Sequence, residues 1–167
     1  MTIRAAVAAD IDAMSRIIGV YAAQGVMLPR SKASLLAALG NYSVAEVDGR
    51  VVGCGGLQPY SASTAEIYGL ATEAGQAPRG TGSALVEALI QQAQRENISR
   101  VFALTLVPGF FEKLGFQRVE HRDLPMKVWK DCVACPKFGN CDEIALVLDL
   151  HGAGRLADHS QLALQTY

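Results

Sequence analysis

The stretch from Ala65 to Leu106 constrains this chain most. An apolar strand pattern over Ala65–Thr72 leads through the loop Glu73–Arg79 into Gly80-Thr81-Gly82. A long helix follows, with Leu85, Val86, Leu89, Ile90 and Ala93 on one face, a stop at Asn97, and a second apolar strand over Val101–Leu106. Two strands joined through a helix predict one parallel step in a sheet. The turn Arg79-Gly80-Thr81-Gly82-Ser83 has a chemistry of its own. Its glycines let backbone amides approach an anion, and the helix N-terminus adds unpaired N–H groups and a positive dipole end. With Arg79 as support it can cradle a phosphate or pyrophosphate. The plainer alternative is an ordinary strand-to-helix turn. A P-loop is excluded because no Gly-Lys-Ser/Thr follows, and Leu85 at the third glycine position argues against a dinucleotide fingerprint.

The rest of the chain makes the sheet mixed. Thr2–Ala6 reads as a strand, and Asp10 as the cap of a helix with Ile11, Met14, Ile17, Ile18 and Tyr21 on one face. Gly25 breaks that helix, Val26–Arg30 is a loop, and Ser31 can cap a short helix ending near Gly40. Tyr42–Val47, the turn Asp48-Gly49 and a strand from Val51 form an antiparallel hairpin. Pro108 starts a short helix capped by Gly115, and Phe116–Glu120 and Glu143–Leu150 are closing strands. The expected architecture is α+β: one domain over residues 1–150 and a tail over 151–167.

The 167 residues, half of them hydrophobic, suit a single core. A net charge of −1 provides no excess cation for nucleic acid or an anionic membrane, so neither is expected as a partner. No apolar run reaches membrane-spanning length, and Met1–Ala9 lacks a signal-peptide core. A cytoplasmic protein with four reduced cysteines is the expectation.

Ala65-Glu66-Ile67-Tyr68-Gly69-Leu70-Ala71, then Arg79-Gly80-Thr81-Gly82-Ser83-Ala84-Leu85, then Phe110-Phe111-Glu112-Lys113-Leu114-Gly115-Phe116, resembles the GNAT superfamily of N-acetyltransferases. The resemblance implies a mixed, mostly antiparallel sheet flanked by helices, with acetyl-coenzyme A as co-substrate. It places the pyrophosphate at Arg79, Gly80, Thr81, Gly82 and Ser83. The pantetheine would lie along Leu70, Ala71 and Thr72, with Phe111 nearby. One position departs from the family's Gln/Arg-x-x-Gly-x-Gly/Ala pattern: Ala77 stands first. Gly25-Val26-Met27-Leu28-Pro29-Arg30-Ser31, Val52-Gly53-Cys54-Gly55-Gly56-Leu57, Leu124-Pro125-Met126-Lys127-Val128-Trp129-Lys130-Asp131-Cys132 and Cys135-Pro136-Lys137-Phe138 are similar to stand-alone domains of the N-acetylglutamate synthase type. This narrower resemblance implies a small amino-acid acceptor, glutamate foremost, and a place in arginine biosynthesis.

In that reading Arg30 binds an acceptor carboxylate through paired hydrogen bonds, beside Leu28 and the backbone of Gly69 and Leu70, and Lys137 takes the second carboxylate. Glu66 is the candidate general base, because an α-amino group is largely protonated at neutral pH. The N–H of Leu70 is the candidate oxyanion donor; Tyr68 and Thr105 are minor candidates. Many GNAT enzymes carry a tyrosine acid where this chain has Phe111, and the synthase type tends to share the phenylalanine. Each of these charges can also be an ordinary solvated or ion-paired group.

Cys132, Cys135 and Cys141 lack a fourth cysteine, so no metal is expected, although His121, Asp142 or His151 could complete a zinc set. Cys54 reads as core. The rivals are another acceptor (a different amino acid, a polyamine or a protein N-terminus) and a catalytically silent acyl-coenzyme A sensor. The apolar strands would also allow a homodimer.

Overall fold

The structure, a computed structural model, describes residues 1–124 and 143–150. Its elements are β1 (Thr2–Ala5), α1 (Ile11–Ala23), α2 (Lys32–Ala37), β2 (Tyr42–Val47), β3 (Arg50–Pro59), β4 (Thr64–Thr72), α3 (Thr81–Arg95), β5 (Arg100–Thr105), α4 (Pro108–Glu112), β6 (Gln117–Val119) and β7 (Ile144–Asp149). The seven strands form one sheet in the order β1-β2-β3-β4-β5-β7-β6. Every neighbouring pair is antiparallel except β4 and β5. This is the expected mixed α+β arrangement, with the parallel step where the strand–helix–strand unit predicts it.

Two helices cover the two faces. α3 buries Leu85, Val86, Leu89 and Ala93 on one face, and there they meet Leu57, Ile67 and Val101. α1 buries Met14, Ile17 and Ile18 on the other face, against Tyr42, Val44, Cys54 and Ala71. Each such side chain contributes about 1.5–3 kcal/mol through burial. β3 is thinned to admit both layers. A Cβ on Gly53 would lie 3.1 Å from Leu85 Cδ1, and one on Gly55 would lie 3.2 Å from Leu89 Cδ1, so α3 presses directly on the strand backbone. Cys54, facing α1, is a core residue, and burial pushes its thiol up to about 12.

Some expected boundaries change. The strand expected over Phe116–Glu120 shrinks to Gln117–Val119, because Phe116 turns into the core and a 3-10 turn begins at His121. Ser31 caps α2 as expected, accepting from the Ser34 N–H at 3.1 Å. Asp10 does not cap α1. Its carboxylate instead accepts from the Val7 N–H at 2.8 Å and from two guanidinium nitrogens of Arg4 at 2.8 and 3.0 Å. Arg4 also donates to Glu46 on β2, at 2.7 and 3.0 Å, so one side chain ties β1, β2 and the entry to α1 together.

That network predicts a pH-dependent stability. The Arg4 hydrogen bonds hold the Asp10 carboxyl below its ordinary value, against the opposing effect of burial. A depressed folded value means the stabilisation is complete above the unfolded value of about 3.9 and fades as pH falls through the folded one. Asp10→Asn is expected to lower stability by about 1.5–3 kcal/mol at neutral pH. Melting curves of the variant and the parent should converge in acid, as pH falls through the depressed folded value. A gap that stays constant with pH would show that the charge of Asp10 is not what the fold uses.

Candidate active site

The sheet opens between its two central strands. β4 and β5 pair only at Thr64–Arg100, Ala65–Val101 and Glu66–Phe102. Beyond Glu66, β4 stays paired with β3 as far as Thr72, and β5 stays paired with β7 as far as Thr105. The facing edges of β4 and β5 are therefore out of the ladder over the second half of both strands. A wedge of unpaired backbone in mid-sheet is a place for an extended ligand to bond.

A bulge sits at this opening. Tyr68 lies opposite Gly56 and Ala71 opposite Cys54, so β4 spends one residue more than β3 over this interval and neither Gly69 nor Leu70 has a registered partner. Gly69 takes φ +59, a left-handed conformation that suits glycine. Its carbonyl accepts from the Cys54 thiol at 3.7 Å. The bulge also changes which way the strand faces. Before it, Ala65 and Ile67 point to α3 while Glu66 and Tyr68 point to the α1 side; after it, Leu70 reaches back under Gly55 toward α3.

On the α1 side, Glu66 is half-buried and accepts from the Tyr60 hydroxyl at 2.9 Å. Two residues on, the Tyr68 ring carries the Arg30 guanidinium, whose central carbon is 4.7 Å from the ring centroid. The loop before α2 thus folds Arg30 over the Tyr68 ring of β4. Leu28 lies in the same loop and is exposed. Tyr42 on β2 completes the cluster, with its ring centroid 5.1 Å from that of Tyr68. Burial, with Tyr68 adding and Arg30 opposing, raises the Tyr42 phenol above its ordinary value.

At the other end of the wedge stands the glycine turn. Gly80 takes φ +89 at the N-cap of α3. The Thr81 N–H turns back to Pro78 O at 3.2 Å, and Ala84 is the first amide to bond in helical fashion, to Gly80 O. The amides of Gly82 and Ser83 are left at the open end, where the helix dipole favours an anion. Arg79 is exposed beside them. A loop anchor holds this geometry: Glu73 is ion-paired with Arg16 and Arg50, and its N–H donates to Val52 O at 2.7 Å.

Not every expected residue has a free side chain here. The Thr81 hydroxyl is buried and donates to Pro78 O at 2.6 Å, so it serves the turn itself. Ala71 is in the α1-side core, and the Thr72 carbonyl accepts from the Tyr21 hydroxyl at 2.6 Å. Phe111, expected beside the coenzyme, is only 4% exposed and packs against Phe116 in the core. The ring beside the turn is that of Phe110, 3.3 Å from where a Cβ on Gly82 would stand. The Thr105 hydroxyl accepts from the Val107 N–H at 3.0 Å. Lys137, the three cysteines from Cys132 to Cys141 and the tail from residue 151 lie outside the described residues. Among the described residues no group of three or more metal-ligating side chains occurs, and no helix is long and apolar enough to cross a membrane.

This geometry agrees with comparisons across known proteins. The Acetyltransferase (GNAT) family model matches residues 20–116. The chain is 39% identical over 148 residues to an uncharacterized N-acetyltransferase of Chlorobaculum tepidum, covering 89% of this chain and 96% of that one. It is 30% identical over 151 residues to the amino-acid acetyltransferase of Mycobacterium tuberculosis, covering 89% and 84%. Among solved structures, N-acetylglutamate synthase from Neisseria gonorrhoeae, complexed with coenzyme A and N-acetyl-glutamate, superposes with a TM-score of 0.82 at 31% identity. That match covers 90% of this chain but 35% of the synthase, so the chain spans about a third of that protein's length. The chain belongs to the GNAT acetyltransferase family, and its class is that of an acyltransferase enzyme.

Proposed function

We propose that this chain transfers the acetyl group of acetyl-coenzyme A to the α-amino group of a small amino acid, with L-glutamate as the acceptor, as an N-acetylglutamate synthase of cytoplasmic arginine biosynthesis. The observation that carries the reading is Arg30. Its guanidinium lies on the Tyr68 ring, two residues from Glu66 on the same strand face and beside the bulge where β4 leaves β5. A forked cation suits a carboxylate and would repel an amine-rich acceptor. The similarity to an amino-acid acetyltransferase along most of its length and to a synthase bound to N-acetyl-glutamate supports the same acceptor class.

The thioester supplies an activated acyl carbon. The amides of Gly82 and Ser83, with Arg79, hold the pyrophosphate, and the unpaired edge of β4 from Leu70 to Thr72 bonds the pantetheine. Arg30 and Lys137 hold the acceptor's carboxylates, with Leu28 and Gly69 beside them. Glu66, oriented by Tyr60, takes the proton from the ammonium, directly or through water, which frees the lone pair for attack. The N–H of Leu70 stabilises the oxygen as charge develops on it. The carbon–sulfur bond then breaks, and the thiolate leaves without help from a tyrosine, since a thiol of pKa about 8.5 is a good leaving group.

The test is a panel of free amino acids and polyamines with acetyl-coenzyme A, followed by thiol release. Arg30→Ala is expected to raise the glutamate KM by about tenfold to a hundredfold, the cost of losing a charged hydrogen-bond pair. Lysine at that position should restore only part of the loss, and the coenzyme KM should stay put. Turnover of a polyamine but not glutamate would sink the acceptor assignment and spare the enzyme class.

A further inference from the structure

Tyr42 and Tyr68 contain an unanswered pair of hydroxyls. Both stand opposite Gly56, one from β2 and one from β4, so that three adjacent strands carry tyrosine, glycine and tyrosine in register. The missing side chain in the middle is what lets the rings meet: a Cβ on Gly56 would lie 2.6 Å from the Tyr68 ring. The Tyr42 hydroxyl comes to rest over the bulge, where a Cβ on Gly69 would be 2.8 Å from it. Both hydroxyl oxygens are buried, and neither has a hydrogen-bond partner among the described residues. The Tyr68 hydroxyl is close enough to raise the Tyr42 phenol, but the two do not close a bond of normal geometry.

Buried phenols normally find a partner, and an orphaned pair calls for an explanation. This pair is not stray packing. It sits under the Arg30 guanidinium, at the one place where β4 carries an unregistered glycine. Two O–H donors and a cation converge there, and burial keeps the Tyr42 phenol protonated throughout the physiological range. Such a donor set fits a ligand group that only accepts hydrogen bonds and carries negative charge.

We propose that the Tyr42 and Tyr68 hydroxyls donate to the acceptor's carboxylate alongside Arg30, and that they set the enzyme's preference for free amino acids over amines that lack a carboxylate. This rests on the amino-acid reading above and extends it to two residues on the sheet itself. Gly56 and Gly69 are then part of the specificity device, because any side chain at either would displace a tyrosine.

The experiment compares Tyr42→Phe, Tyr68→Phe and the double variant with wild type, in two measurements. Steady-state kinetics should show the KM for L-glutamate rising about tenfold for each loss of a hydroxyl, with the coenzyme KM unmoved. Melting of the unliganded proteins should show no loss of stability, because an orphaned hydroxyl contributes none to the empty protein. A rise in KM with unchanged or higher melting temperature supports the proposal. An unchanged glutamate KM overturns it, and so does a lowered melting temperature in the unliganded variants, which would mean the hydroxyls hold the fold. If wild type turns over no carboxylate-bearing acceptor at all, the amino-acid reading falls and this proposal falls with it. If glutamate is a substrate and the variants bind it equally well, only this proposal falls.

Discussion

Glu66→Gln is expected to lower kcat by about a hundredfold to ten-thousandfold, the range a positioned general base typically provides. The substitution is chosen to leave the geometry in place. Glutamine keeps an oxygen that can accept from Tyr60, whose hydroxyl is 2.9 Å from the native carboxylate. Glu66 is also the last residue of β4 to pair with β5, and backbone pairing is indifferent to this change. Binding of coenzyme should therefore persist while turnover is lost. Rates measured with saturating glutamate and acetyl-coenzyme A across pH would check it. Retention of most of kcat would remove Glu66 from the proton transfer and turn attention to a water held by backbone alone.

A second large effect is expected from Gly82→Asp: at least a hundredfold loss of affinity for coenzyme A. Two unit charges about 4 Å apart near a protein surface repel by roughly 4 kcal/mol, and the new carboxylate would stand where the pyrophosphate is proposed to sit. Its Cβ would also lie 3.3 Å from Phe110, the partly exposed ring beside the turn. The fold should survive, because an acidic residue in the first turn of a helix is favourable to the empty protein. Gly82→Ala introduces the bulk without the charge and should cost far less. Calorimetric titration of both variants with coenzyme A separates the two causes. Equal affinities for parent and aspartate variant would show that the turn is a plain connection and that the phosphates lie elsewhere.

Much of the frame was legible because it is written in local chemistry. Asp48 and Gly49 both take positive φ, as a tight hairpin turn demands, and the strands on either side are where the pattern put them. Asn97 takes φ +58 at the end of α3, and the helix buries most of the face that the spacing marks. The parallel step was readable for the same reason. The insertion of β7 between β5 and β6 was not, since strand order depends on contacts distant in sequence. At the candidate site, the glycine turn, Glu66 and Arg30 are the residues the sequence singles out, and the structure brings Arg30 to β4. The bulge at Gly69, the tyrosine pair and the placing of Phe110, with Phe111 in the core, beside the glycine turn could not be read there. Each depends on register: a shift of one residue in β4 decides which side chains face which layer. The signal that was present, one glycine of β3 opposite two tyrosines, has meaning only once the three strands are aligned.

The break in the ladder after Glu66 gives the sheet the character of a partition with a slot in it. The open end of α3, with the glycine turn, lies on one side of the partition. Arg30, Tyr42, Tyr68 and Glu66 gather on the other. On the proposed reading, the two substrates approach the slot from opposite faces and meet at the few backbone atoms around Gly69 and Leu70. Neither has to vacate a shared pocket for the other to enter. Cys54 offers no relay between them, because its thiol is fully buried in the core and burial pushes it up, away from the thiolate. On that reading the acyl group passes hand to hand through the wall, in a complex that holds donor and acceptor together.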